Sequence, residues 1–159
     1  MIHIVIGQSG CGKTTFVKRH FGLGSEVELQ EGGPVAWTKA GNMAFIGKYG
    51  IGIRTEGTDT LSYTALPKIL QLIDQLYQER EIVVEGDRIN SPKFFNHLLA
   101  KGYRAKLYLL YCELDTSLAR LRKGGSKISP AWVKTTRTKS FNNFAKYGSF
   151  FQGVKICLD

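Results

Sequence analysis

Apolar positions along the chain follow two rhythms. Short, nearly continuous runs occupy Ile2–Ile6, Ile82–Val84 (ended by the acids of Glu85-Gly86-Asp87), Ala105–Cys112 and Val154–Leu158. That is the pattern of strands buried on both faces of a parallel sheet. Between them, Leu66, Ile69, Leu70, Ile73, Leu76 and Tyr77 recur at helical spacing, with Pro67 tolerated in the first turn. Further helices are expected from Lys13 towards His20, from Ser91-Pro92 to about Lys101-Gly102, and from an Asp115 cap through Arg122, where Gly124-Gly125 breaks the pattern. Another runs from Ser129-Pro130 to about Tyr147. Phe21–Pro34, rich in glycine and acid, and Gly50–Thr60 read as loops. Val35–Gly50 reads as two strands around Gly41-Asn42, a hairpin carrying Trp37, Phe45 and Tyr49. Strands alternating with helices predict one α/β domain over residues 1–159. Its fold is three-layered, with a mainly parallel sheet, a small β-hairpin insertion at about 34–50 and a basic lid at about 120–139.

Composition narrows the setting. Hydrophobic residues make up 43% and charged residues 22%, which is ordinary for a globular protein. No apolar run approaches a membrane span and the chain begins directly on a strand, so no membrane partner and a cytosolic location are expected. The three cysteines, Cys11, Cys112 and Cys157, lack metal spacing, and His3, His20 and His97 are scattered, so no zinc site is expected. Cys112 and Cys157 lie in or beside predicted strands and read as buried thiols of a reducing compartment. Lys plus Arg number 22 against 13 Asp plus Glu, a surplus of nine. That surplus points to a polyanion such as DNA as partner, or to a solvated basic surface. From Arg120 to Lys146 every charged residue is basic.

The most specific chemistry lies between the first strand and the first helix. Gly7-x-x-x-x-Gly12-Lys13-Thr14 has the spacing of a phosphate-binding loop. Gly7, Gly10 and Gly12 let the backbone turn its N–H groups onto an anion, at the positive end of the following helix. Thr15 continues the site, and Cys11 fills a variable position as a small side chain. Lys13 would reach the β- and γ-phosphates of ATP, and the Thr14 hydroxyl would ligate Mg²⁺.

Other candidates lie at the carboxyl ends of the strands, where ligands of such sheets gather. Glu85 or Asp87 suits Mg²⁺, a hard cation that takes oxygen ligands, and Arg88 suits a phosphate or an acceptor group. The alternative for this segment is a polar strand end with surface ion pairs. Asp59 could be a base for an acceptor hydroxyl or a helix cap, with Asp87 the other candidate base. Arg120 and Arg122, at the end of a helix running into a flexible basic flap over Lys123–Lys127, would neutralise charge on the nucleotide. Lys127, Lys134, Arg137 and Lys139 would contact the acceptor or nucleic acid. A solvated basic helix is the alternative. Trp132, Phe141, Phe144, Phe150 and Phe151 are expected mostly in the core, with one or two free to stack on a base.

With its GQSGCGKT loop the chain resembles the P-loop kinases of small nucleotides and of nucleic-acid ends. GTDTLS, VVEGDRI and the run Trp132-x-Lys134…Arg137…Asn142 are similar to segments of small P-loop proteins of bacterial viruses, among them kinases of 5-hydroxymethyluracil in viral DNA. The resemblance implies ATP-dependent transfer to a base hydroxymethyl group, with the DNA backbone accounting for the basic surplus. Other readings are a nucleoside or nucleotide kinase, a polynucleotide 5′-hydroxyl kinase, and a nucleotide-dependent switch or DNA-binding ATPase.

Overall fold

A computed structural model describes residues 1–50 and 56–159; Ile51–Thr55, within the expected Gly50–Thr60 loop, lie outside the described residues. The strands are β1 (Ile2–Gly7), β2 (Glu28–Gln30), β3 (Trp37–Ala40), β4 (Met43–Ile46), β5 (Glu81–Glu85), β6 (Ala105–Tyr111) and β7 (Val154–Cys157). The helices are α1 (Lys13–His20), α2 (Leu66–Leu76), α3 (Pro92–Ala100), α4 (Leu114–Lys123) and α5 (Pro130–Tyr147), and Thr58–Thr60 form a 3-10 turn. The strands build one sheet in the order β2-β3-β4-β5-β1-β6-β7. From β4 to β7 every pairing is parallel, while β2, β3 and β4 pair antiparallel. The hairpin therefore extends the main sheet, because Met43–Phe45 of β4 pair with Glu81–Val83 of β5.

Strand alternation distributes the core between two faces. Ile2, Ile4 and Ile6 join Ile82, Val84, Leu107 and Leu109 against Ile69 and Ile73 of α2, Phe94 and Phe95 of α3 and Tyr147 of α5. Val5, Val83, Tyr108 and Leu110 face the other way, onto Val17 of α1 and Phe45. Helices on both faces make the three layers expected of a parallel sheet.

Ser91 and Ser129 cap α3 and α5, each accepting from the amide three residues on, with Pro92 and Pro130 in the first positions. Several local expectations need correction. The Phe21–Pro34 loop contains β2, held only by its register with β3. Glu113, not Asp115, is the N-cap residue of α4, and it makes no side-chain cap bond; Asp115 sits in the first turn. Cys112 is buried but Cys157 is exposed, because β7 is the sheet's last strand. Trp132 and Phe150 are exposed as well, while Phe151 is buried. Among the described residues no helix is long and apolar enough to cross a membrane.

Candidate active site

The loop between β1 and α1 curls around its own lysine. Lys13 Nζ donates to the carbonyls of Gly7 (3.2 Å) and Gln8 (3.0 Å). Gly10 has φ +79°, and a Cβ there would lie 2.7 Å from the Ser117 carbonyl oxygen. Only glycine lets the loop take this turn against α4. Cys11 is fully buried, and burial pushes its thiol pKa up. A neutral, enclosed thiol fits the role of small filler.

Parallel pairing of β1 with β5 sets Glu85 opposite Val5, at the start of the loop. Glu85 is 3% exposed and accepts from Tyr49 Oη at 2.8 Å and Thr14 Oγ1 at 3.2 Å. Burial raises its carboxyl to about 7, although Tyr49, Lys13 and Thr14 all favour the ionised form. Next along, Gly86 has φ +114°, and a Cβ there would meet Thr58 Oγ1 at 2.4 Å. The absence of a side chain lets Thr58 donate to the Glu85 carbonyl at 2.6 Å. The turn bearing Asp59 is thereby locked onto the turn bearing Asp87 and Arg88.

Asp59 faces Arg88, with Oδ1 to Nη1 at 2.9 Å. It is not a cap: the 3-10 turn has no side-chain cap bond, and Ala65 occupies the N-cap of α2. The Arg88 guanidinium lies 4.1 Å from the ring centroid of Tyr63, a residue 80% exposed. Its Nε is buried with no hydrogen-bond partner among the described residues. Asp87 Oδ1 takes Lys139 Nζ at 2.9 Å. Asp59, Glu85, Asp87 and Arg88 line one cleft of about 610 Å³ with Gly7, Gly10, Gly12, Lys13, Thr14 and Thr15, and Tyr63 and Trp132 form part of its walls.

The basic region divides. Arg120 lines the cleft and donates to the carbonyls of Cys11 (3.2 Å) and Leu158 (2.7 Å). It also borders a second groove, of about 540 Å³, shared with Gly12, Thr15, Phe16 and Leu158. Arg122 and Lys127 are exposed and stand outside the lining of both. Lys134 and Lys139 border a separate groove between α5 and Pro92. Arg137 corrects the sequence expectation most sharply. Its guanidinium turns inward, onto Gln8 Oε1 at 2.7 Å and the Cys112 carbonyl, rather than out to a partner. Gln8, Tyr49, Thr58 and Tyr63 escape sequence reasoning, because each owes its role to a neighbour brought close by the fold.

The fold, a mainly parallel sheet with helices on both faces, is shared with solved deoxyadenosine kinase structures. No protein-family model and no curated protein matches the chain. Solved structures similar to it include deoxyadenosine kinase from M. mycoides with bound dCTP, at TM-score 0.51 and 12% identity, over 99% of this chain and 90% of that one. The same enzyme with products dCMP and dCDP gives 0.52 and 13%, over 98% and 90%. With bound dATP it gives 0.50 and 12%, over 99% and 91%. Identities this low speak for the fold alone.

Proposed function

We propose that the chain is an ATP-dependent kinase that phosphorylates a hydroxyl of a nucleoside or nucleotide. One observation carries this: the phosphate loop lies between two recesses that meet at Gly12, Thr15 and Arg120. The smaller, partly apolar recess suits the base of the donor. The larger holds the Asp59–Arg88 pair and suits an acceptor. A switch or simple ATPase needs no second recess lined with a carboxylate and an exposed aromatic ring. The shared fold with a deoxyadenosine kinase also favours a nucleoside acceptor over the other readings.

Lys13 would leave its loop carbonyls for the β- and γ-phosphates. The donor set of Thr14 hydroxyl, Glu85 and Asp87 fits Mg²⁺, which accepts one or two carboxylates beside phosphate oxygens. When bound, that ion neutralises charge on the phosphates. Asp59, oriented by Arg88, would take the proton of the acceptor hydroxyl as the new O–P bond forms and the bond to ADP breaks. Tyr63 and Trp132 offer faces on which a base can stack.

A second reading is transfer to the hydroxymethyl group of 5-hydroxymethyluracil within DNA, favoured by the net charge of +9. Transfer of labelled γ-phosphate from ATP to a panel of acceptors separates them. The panel holds free nucleosides, monophosphates, ordinary DNA, DNA with 5-hydroxymethyluracil, and DNA and RNA with 5′-hydroxyls, with Lys13→Ala as the inactive control. Label on free nucleosides or monophosphates is expected. Label on internal hydroxymethylated bases alone would replace that conclusion with the second reading, and label nowhere would remove the kinase assignment.

A further inference from the structure

Two consecutive residues of α5 hold two consecutive residues of the phosphate loop. Thr136 Oγ1 accepts from the Ser9 amide at 3.0 Å, and Arg137 Nη1 donates to Gln8 Oε1 at 2.7 Å. Gln8 is 1% exposed, and its side-chain amide donates to the Cys112 carbonyl at 3.0 Å and to Ser117 Oγ at 2.6 Å. Both ends of this buried side chain are thus occupied by groups from α4, α5 and the end of β6. On the main chain, the Gln8 carbonyl accepts from Lys13 Nζ and from the Cys11 amide at 3.3 Å. A continuous set of contacts therefore runs from Arg137 through Gln8 to the lysine that would meet the phosphates. Phe141 braces the outer end, with the Arg137 guanidinium 5.3 Å from its ring centroid.

We infer that Arg137 is a positioning residue for triphosphate binding: by gripping Gln8 it keeps the loop in its anion-receiving shape and ties that shape to α5. This rests on the nucleotide reading of the loop. A buried polar side chain that loses one partner leaves the other unsatisfied, so the loop would relax when Arg137 is removed. Both bonds come from one nitrogen, without the two-pronged guanidinium geometry, so a lysine ammonium can replace them in part.

The test is calorimetric titration with a non-hydrolysable β,γ-imido ATP analogue and Mg²⁺, with melting temperatures and acceptor KM recorded alongside. Arg137→Met is expected to weaken analogue binding by about ten-fold or more while acceptor KM stays close to the parent's; the melting temperature falls, because the Gln8 and Cys112 oxygens lose a partner, with the protein still folded at the titration temperature. Arg137→Lys should recover most of that loss. Gln8→Met reaches the same contact from the loop side. The double variant should lose little more than either single one, as expected for residues acting through one contact. Unchanged binding in folded Arg137→Met overturns the inference, as do fully additive losses in the double variant. Should Arg137→Met not fold, Gln8→Met carries the test, and unchanged binding there overturns it equally. Absence of analogue binding by the parent protein would instead count against the nucleotide reading itself.

Discussion

Glu85 carries a charge that folding places in an unfavourable setting. Its carboxyl rises from an ordinary 4.5 to about 7, with burial as the largest cause. Between those values the folded chain holds a proton that the unfolded chain releases, so stability must fall as pH rises through that window. Above about 7 the full penalty is present, roughly 3 kcal/mol at most for a shift of this size. Denaturant unfolding of the ligand-free protein at pH 5 and pH 8 should show that fall, and Glu85→Gln should flatten it. An equal slope in the variant would locate the penalty elsewhere. Asp59 makes a different prediction, because its partner Arg88 orients it in the open cleft. Asp59→Asn should reduce turnover by about 10²–10⁴-fold if it takes the acceptor's proton. ATP affinity should stay within about two-fold, since the loop contacts are made by other residues. Unchanged turnover would move the base to Glu85 or Asp87.

Helix α5 shows how local and distant forces divide the work of an element. Ser129 Oγ accepts from the Trp132 amide at 3.2 Å, so Ser129→Ala should cost about 1 kcal/mol and lower the melting temperature by about 2–4 °C. No change in melting would mean that solvent satisfies that amide equally well. This cap was legible in the sequence, as were the cap at Ser91 and both ends of α1, because each depends on residues within one turn. The inward face of α5 was not. Its buried stripe is Val133, Thr136, Ser140, Asn143 and Tyr147. Three of the five are polar, and their partners are Ser9 and Asn90 on distant segments. With no apolar rhythm to mark the buried side, Arg137 looked as free as Lys134. Strand β2 was hidden for a related reason, since three exposed or half-exposed residues become a strand only by pairing with β3. The loop between β1 and α1, by contrast, was legible as a loop between a strand and a helix, because glycine spacing and the flanking elements are both local.

On the scale of the whole molecule, the basic surplus is unevenly neutralised. Around the hairpin side, Lys18, Lys39 and Lys48 pair with Glu56, Glu28 and Glu31. On α4, α5 and the segment between them, Arg122, Lys123, Lys127 and Lys134 are exposed, with no acidic partner within 4.0 Å among the described residues. A polynucleotide lying on that surface would release counterions, and six to ten phosphate contacts would lose about 10³–10⁵ in affinity between roughly 50 and 200 mM salt. A free nucleoside releases none. With Arg137 committed to Gln8 and Asp59 paired with Arg88, the cleft proposed for the acceptor offers little to a long anion. The KM for a nucleoside acceptor should therefore change by less than about two-fold over that salt range, measured at saturating ATP and Mg²⁺. If the preferred acceptor's KM instead climbs by orders of magnitude with salt, the unpaired lysines and arginines of α4 and α5 are gripping a phosphate backbone, and the acceptor is a nucleic acid.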